Sequence, residues 1–105
     1  YPMKAGEPWE KNWEKDWGFV ADTYPVFASE IGFMAADDPG SHNPVIADED
    51  YGRRIVDYLD RKGISWAVWN FDPAWPPQMI KDWDYTPTTQ GAFFKKVFRK
   101  LRERQ

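Results

Sequence analysis

Glu30 stands near the end of a run, Tyr24 to Ile31, that is otherwise apolar or small, with Pro25 inside its start and Gly32 just after it. A carboxylate there either joins a structural ion pair or does chemistry, because a charge among apolar neighbours is costly unless it is paired or used. A second apolar run, Ile64 to Phe71, carries Trp69 at the corresponding place. Trp69 reads either as a core or rim tryptophan or as a flat platform for a ring whose C–H face packs on its indole, as a pyranose does. The segment that follows holds Trp75 and Trp83 beside Asp72, Asp82 and Asp84, and Pro73, Pro76 and Pro77 stiffen it. It is either a binding wall or a loop folded over its own aromatic cluster. His42, the only histidine, lies in the loop after Glu30; a lone histidine has no partners for a metal set. Asp48, Glu49 and Asp50 lack the spacing of an EF-hand and suit the start of a helix instead. Trp69, Trp75, Asp72 and His42 are the candidates for contacting a substrate, and nothing in the pattern calls for a cofactor or a metal.

Five periodic segments must position these residues. From Pro8 to about Asp22, Trp9, Trp13 and Trp17 recur at spacing four and form one apolar stripe on a helix that opens with proline. Tyr24 to Ile31 reads as a strand buried on both faces, with Val26, Ala28 and Glu30 on one side and Phe27, Ser29 and Ile31 on the other. From Glu49 to Lys62, Tyr51, Ile55, Tyr58 and Leu59 make a helix face, with basic residues in the last turn and Gly63 as the stop. Ile64 to Phe71 is a second strand: Ile64, Trp66 and Val68 are bulky on one side, opposite Ser65, Ala67 and Trp69. The last helix starts at Thr88 or Thr89 as N-cap and carries Phe94, Val97, Phe98 and Leu101 on its apolar stripe.

Helix, strand, helix, strand, helix implies parallel βαβ units. The two long loops, 32–48 and 72–87, both leave the C-terminal ends of strands, where parallel α/β folds carry their sites. Two parallel strands do not make a finished sheet, because each would keep an open edge. We therefore expect the 105 residues to be part of a longer chain and incomplete as a domain; Tyr1 in first position, with no initiator methionine, agrees.

Composition narrows the function. Fourteen basic against 17 acidic side chains give −3, which argues against a nucleic-acid binder. The six cations of the last helix, opposed by Glu103, read as a solvated helix end favoured by its dipole. No apolar stretch is long enough to span a membrane. The absence of cysteine excludes disulfides, thiolate metal sites and cysteine catalysis.

At Pro25-Val-Phe-Ala-Ser-Glu30-Ile-Gly32 and Gly63-Ile-Ser-Trp-Ala-Val-Trp69-Asn70 the chain resembles family 5 glycoside hydrolases, the cellulase family. The resemblance implies an α/β fold: the C-terminal quarter of a (β/α)8 TIM barrel, comprising helix 6, strand 7, helix 7, strand 8 and helix 8, with residues 1–105 a fragment of one catalytic domain. It implies that Glu30 is the catalytic nucleophile of a retaining enzyme and that Trp69 floors the subsite of the sugar being cleaved. It implies that Tyr1 matches the tyrosine of the sixth strand that contacts the nucleophile. In that family the acid/base is a Glu that follows an Asn on strand 4, and no Asn-Glu pair occurs here. The parent chain is thus expected to hydrolyse β-1,4-linked polysaccharide such as cellulose-type glucan, outside the cell. The fragment alone is expected to be inactive, and its partners are the glucan and the missing N-terminal barrel segment. Two other readings stand beside this one. A carbohydrate-binding module would use its exposed tryptophans without catalysis, although such modules are commonly all-β. A degenerate barrel end would serve only as an interaction surface.

Overall fold

The computed structural model describes residues 1–38 and 46–104. A 3-10 turn, Pro2–Ala5, leads into helix α1, Trp9–Asp16. The tryptophan helix does not run unbroken to Asp22. Trp17 leaves the helical region with φ −153°, and a 3-10 segment, Gly18–Asp22, continues the path. The chain passes close to Tyr58 here: a Cβ at Gly18 would lie 1.8 Å from the Tyr58 hydroxyl oxygen, so glycine suits the approach. Glycine is also a weak helix former, which favours the break at this point.

Strand β1 spans Phe27–Ile31, shorter than the run that suggested it, and Tyr24 lies exposed outside it. Helix α2 spans Glu49–Arg61. The Asp48 carboxylate accepts from the N–H groups of Asp50 at 3.0 Å and Tyr51 at 3.2 Å, so the acidic stretch caps the helix and complements its dipole. Gly63, at φ +67°, ends it in the left-handed region that glycine enters without steric cost. Strand β2 is Ser65–Val68 and helix α3 is Thr89–Glu103. Thr88 is the N-cap: its hydroxyl accepts from Gly91 N–H and donates to the Gln78 carbonyl.

The two strands pair in parallel, with Phe27 opposite Ser65, Ala28 opposite Trp66 and Ile31 opposite Val68. Val26, Ala28, Trp66 and Val68 pack against the core, and Ile64 is buried in it. The opposite side is open. Phe27 is 60% exposed, and Ser29, Ser65 and Ala67 are exposed with it. The expectation of strands buried on both faces is therefore corrected: the described helices cover one face only.

A second correction concerns Glu30. The pairing slips between Ala28 and Ile31, so the simple alternation fails there. Ile31 takes the buried side in place of Glu30, and Glu30 is exposed.

The core is built around Trp13. Its indole sits 5.5 Å from the Tyr58 ring and 6.1 Å from the Tyr51 ring, with Trp9 stacked at 6.2 Å. The helix face foreseen on α2 is the one observed, since Tyr51, Ile55, Tyr58 and Leu59 are all buried. Ion pairs fasten the rim: Arg54 reaches Glu7 at 2.8 Å and Glu10 at 2.5 Å, and Lys62 reaches Asp22 at 2.7 Å. Hydrogen bonds from the Arg54 guanidinium hold the Glu10 carboxyl below its ordinary pKa.

At the foot of α3, a Cβ on Gly91 would fall 1.8 Å from the Met79 carbonyl oxygen. This contact is with backbone, which cannot swing aside. Gly91→Ala should cost about 1–3 kcal/mol or more through overpacking, read as a lower denaturant midpoint. An unchanged midpoint would contradict this packing.

Candidate functional site

Parallel pairing brings Glu30 and Trp69 to one rim. Glu30 is the penultimate residue of β1, and Trp69 directly follows β2. Trp69 N–H donates to the Ile31 carbonyl at 2.9 Å, so the chain leaves both strands at the same level. The Trp69 residue is half-buried, and the peptide joining it to Asn70 is cis. Asn70 then anchors the loop: its N–H donates to Pro77 at 3.0 Å, and its carbonyl accepts from Met79 at 2.9 Å.

Tyr1 lies near enough to Glu30 for that residue's charge to act on its phenol. Two indoles of α1 hold the turn that carries it. Trp13 Nε1 donates to the Pro2 carbonyl at 2.7 Å and Trp9 Nε1 to the Met3 carbonyl at 3.2 Å. The Tyr1 phenol is pushed up to about 12, first by burial and then by the negative charge of Glu30. Tyr1 as a whole keeps 38% exposure, so the desolvation comes from the covered share of the residue. The two groups therefore stand within electrostatic reach. At neutral pH the phenol is protonated and is a hydrogen-bond donor. The tryptophan stripe is core, as its spacing suggests, and it also positions Tyr1.

The second loop is two stapled turns rather than a collapsed aromatic cluster. The Asp72 carboxylate accepts from Ala74 N–H at 2.7 Å, and Gln78 Nε2 donates to the Pro73 carbonyl at 3.0 Å. Further on, Asp82 accepts from the N–H groups of Asp84 and Thr86 at 3.0 and 3.2 Å. Hydrogen bonds from Thr86 hold the Asp82 carboxyl below its ordinary pKa. Each turn presents one tryptophan outward, Trp75 at 64% and Trp83 at 63% exposure. Asp72, placed among the substrate contacts by sequence, has a backbone partner and shapes the turn that carries Trp75. His42 lies outside the described residues.

Among the described residues no group of three His, Asp or Glu side chains converges as a metal site would require. A cavity of about 540 Å³ lies between α3 and the loop after β2, lined by Phe71, Tyr85 and Phe98, and none of the candidate residues lines it.

Sequence reading passed over one residue that the structure brings to this rim. Gln90, in the first turn of α3, is fully buried, and its amide bonds to backbone on both sides of the strand ends. A polar residue just after a helix cap ordinarily faces water, and no local signal distinguishes this one.

No family model matches the chain, and no curated protein matches it. Solved structures do match it, among them two of a single enzyme. One is the native form of the β-glucanase SdGluc5_26A from Saccharophagus degradans, and the other is the same β-glucanase in complex with cellotetraose. Each is 50% identical over 96% of this chain, with a TM-score of 0.88. The match covers 32% of the glucanase, so this chain spans about a third of its length.

Proposed function

We propose that this chain belongs to the family 5 glycoside hydrolases and is the C-terminal quarter of the (β/α)8 barrel of a retaining β-glucanase. The observation that carries the reading is the half-identity, over nearly the whole chain, to a β-glucanase solved with cellotetraose. The open face of the sheet supports it, since Phe27, Ser29, Ser65 and Ala67 lie where a closed barrel would supply neighbours. The substrate is then a β-1,4-linked glucan. A polymer of that kind does not cross a membrane, so the enzyme works outside the cell.

In this reading Glu30 is the nucleophile. Its carboxylate oxygen bonds to the anomeric carbon while the glycosidic C–O bond breaks. The departing oxygen takes its proton from a second carboxyl group, supplied by the barrel outside this chain. Water then attacks the glycosyl ester, gives its proton back to that second group, and frees Glu30. The two carboxyl groups of a retaining enzyme stand about 5–5.5 Å apart. Tyr1 donates toward Glu30 and orients it, Trp69 floors the sugar ring being cleaved, and Trp75 extends the wall.

The test is to follow cellotetraose cleavage by the full-length enzyme in an NMR tube. The newly formed reducing end should appear first as the β-anomer and only later mutarotate. First appearance of the α-anomer would refute a retaining mechanism. Residues 1–105 alone should release no sugar, because the acid/base is absent from them; turnover by this piece would overturn the division of labour. A non-catalytic binding module would bind cellotetraose and leave it intact even in the full-length chain.

A further inference from the structure

We propose that Gln90 fixes the spacing between Glu30 and Trp69 and is a positioning residue for glucan cleavage; this rests on the roles given to those two residues above. Gln90 Oε1 accepts from Phe33 N–H at 2.6 Å, three residues beyond Glu30. Its Nε2 donates to the Trp69 carbonyl at 2.9 Å and to the Pro77 carbonyl at 3.1 Å. One amide therefore ties the chain leaving β1 to the residue leaving β2 and to the loop beyond. The ladder does not provide that tie alone, because its register slips between Ala28 and Ile31, the interval that contains Glu30.

The local sequence is fitted to this crossing. A Cβ at Gly32 would lie 2.8 Å from Gln90 Oε1 and 2.9 Å from the Trp69 carbonyl oxygen, so the two strand ends meet the amide only with glycine there. The chemistry is directional. The site needs one acceptor facing an N–H and two donors facing carbonyls, which an amide supplies in one neutral group. A carboxylate supplies only acceptors and would face the two carbonyls without a proton. An apolar side chain leaves all three backbone groups unpaired in a buried place. Asp38 lies beside this arrangement: its carboxylate accepts from the N–H of Thr89, the residue before Gln90, at 2.8 Å. Together with burial, it would raise the pKa of a carboxyl placed at position 90.

The experiment uses Gln90→Glu and Gln90→Met in the full-length enzyme that carries this segment. It measures kcat and KM on cellotetraose from pH 5 to 7, thermal unfolding, and cellotetraose affinity in a Glu30→Gln background. Gln90→Glu should lower kcat at pH 7 by about tenfold or more, the scale of effect that misplaced reacting groups produce, with a smaller change in cellotetraose affinity. The ratio to wild type should recover as pH falls, because a protonated carboxyl accepts from Phe33 and donates to Trp69. Gln90→Met should lose activity across the range, and if it fails to fold, the Gln90→Glu profile alone decides. A folded Gln90→Glu enzyme with wild-type kcat at pH 7 would overturn the inference. So would a loss that follows the unfolded fraction alone, with a flat ratio across pH. If the wild-type enzyme itself leaves cellotetraose uncut, the roles of Glu30 and Trp69 fail and this inference falls with them.

Discussion

Replacing Glu30 with Gln in the full-length enzyme should lower glucan hydrolysis by roughly 10⁴-fold or more, the scale seen when a covalent nucleophile is removed. The fold should survive. Glu30 is exposed at a strand end, and Gln keeps its size, so the unfolding temperature should stay near that of wild type. Cellotetraose should still bind, since Trp69 and the loop tryptophans are untouched. The chemical control is Glu30→Ala with azide and an activated aryl glycoside. Azide should enter the space the carboxylate leaves, attack the anomeric carbon as the aryl group departs, and yield the α-glycosyl azide. A β-glycosyl azide would identify Glu30 as the acid/base instead. Retention of a tenth of the wild-type rate by Glu30→Gln would remove Glu30 from the chemistry.

The second large effect is on stability. Trp13→Ala should destabilise the fold by about 3–5 kcal/mol, the usual cost of emptying a large aromatic site in a core. Trp13 is 0% exposed and packs against Trp9 of α1 and Tyr51 and Tyr58 of α2, so its loss empties the centre of this aromatic cluster. The substitution also removes the indole donor to the Pro2 carbonyl, and with it the anchor of the turn that carries Tyr1. Trp13→Phe separates the two contributions. It keeps a ring in the core but loses the N–H, so it should lose less stability while still loosening Tyr1. Denaturant unfolding reads the first effect, and kcat of the folded fraction reads the second. A Trp13→Ala loss below about 1 kcal/mol would contradict the central place given to this residue.

Much of this arrangement was legible before any coordinates. Apolar periodicity located the three helices because each buries one stripe against the others; the acidic stretch from Asp48 marked a helix start, and Thr88 or Thr89 offered an N-cap, of which the structure uses Thr88. The parallel pairing followed from strands alternating with helices. Glu30 and Trp69 stood out as a carboxylate and a large ring at the ends of apolar runs. What was not legible depended on contacts distant in sequence. The break after Asp16 coincides with Gly18 passing close to Tyr58, forty residues away in the chain. The side taken by Glu30 depends on a register slip that only the partner strand reveals. Apolar runs suggested burial on both faces, but one side of each strand is exposed, because burial depends on what lies opposite as well as on the run itself. Gln90 could not be found by pattern, since its partners Phe33 and Trp69 are brought to it by the tertiary fold. The Asp72 carboxylate stood out as a ligand contact, and its bond from the Ala74 N–H, which shapes the turn, could not be read from the sequence alone.

The most direct measurement is covalent trapping. The full-length enzyme is incubated with a 2-fluoro cellobiosyl inactivator, whose fluorine slows the hydrolysis of a glycosyl ester more than its formation, and the peptides are mapped by mass spectrometry. The expected result is one 2-fluorocellobiosyl adduct, on Glu30, formed in step with the loss of activity. An active enzyme inactivated through a different carboxylate, with Glu30 unmodified, would contradict the assignment of Glu30 as the nucleophile.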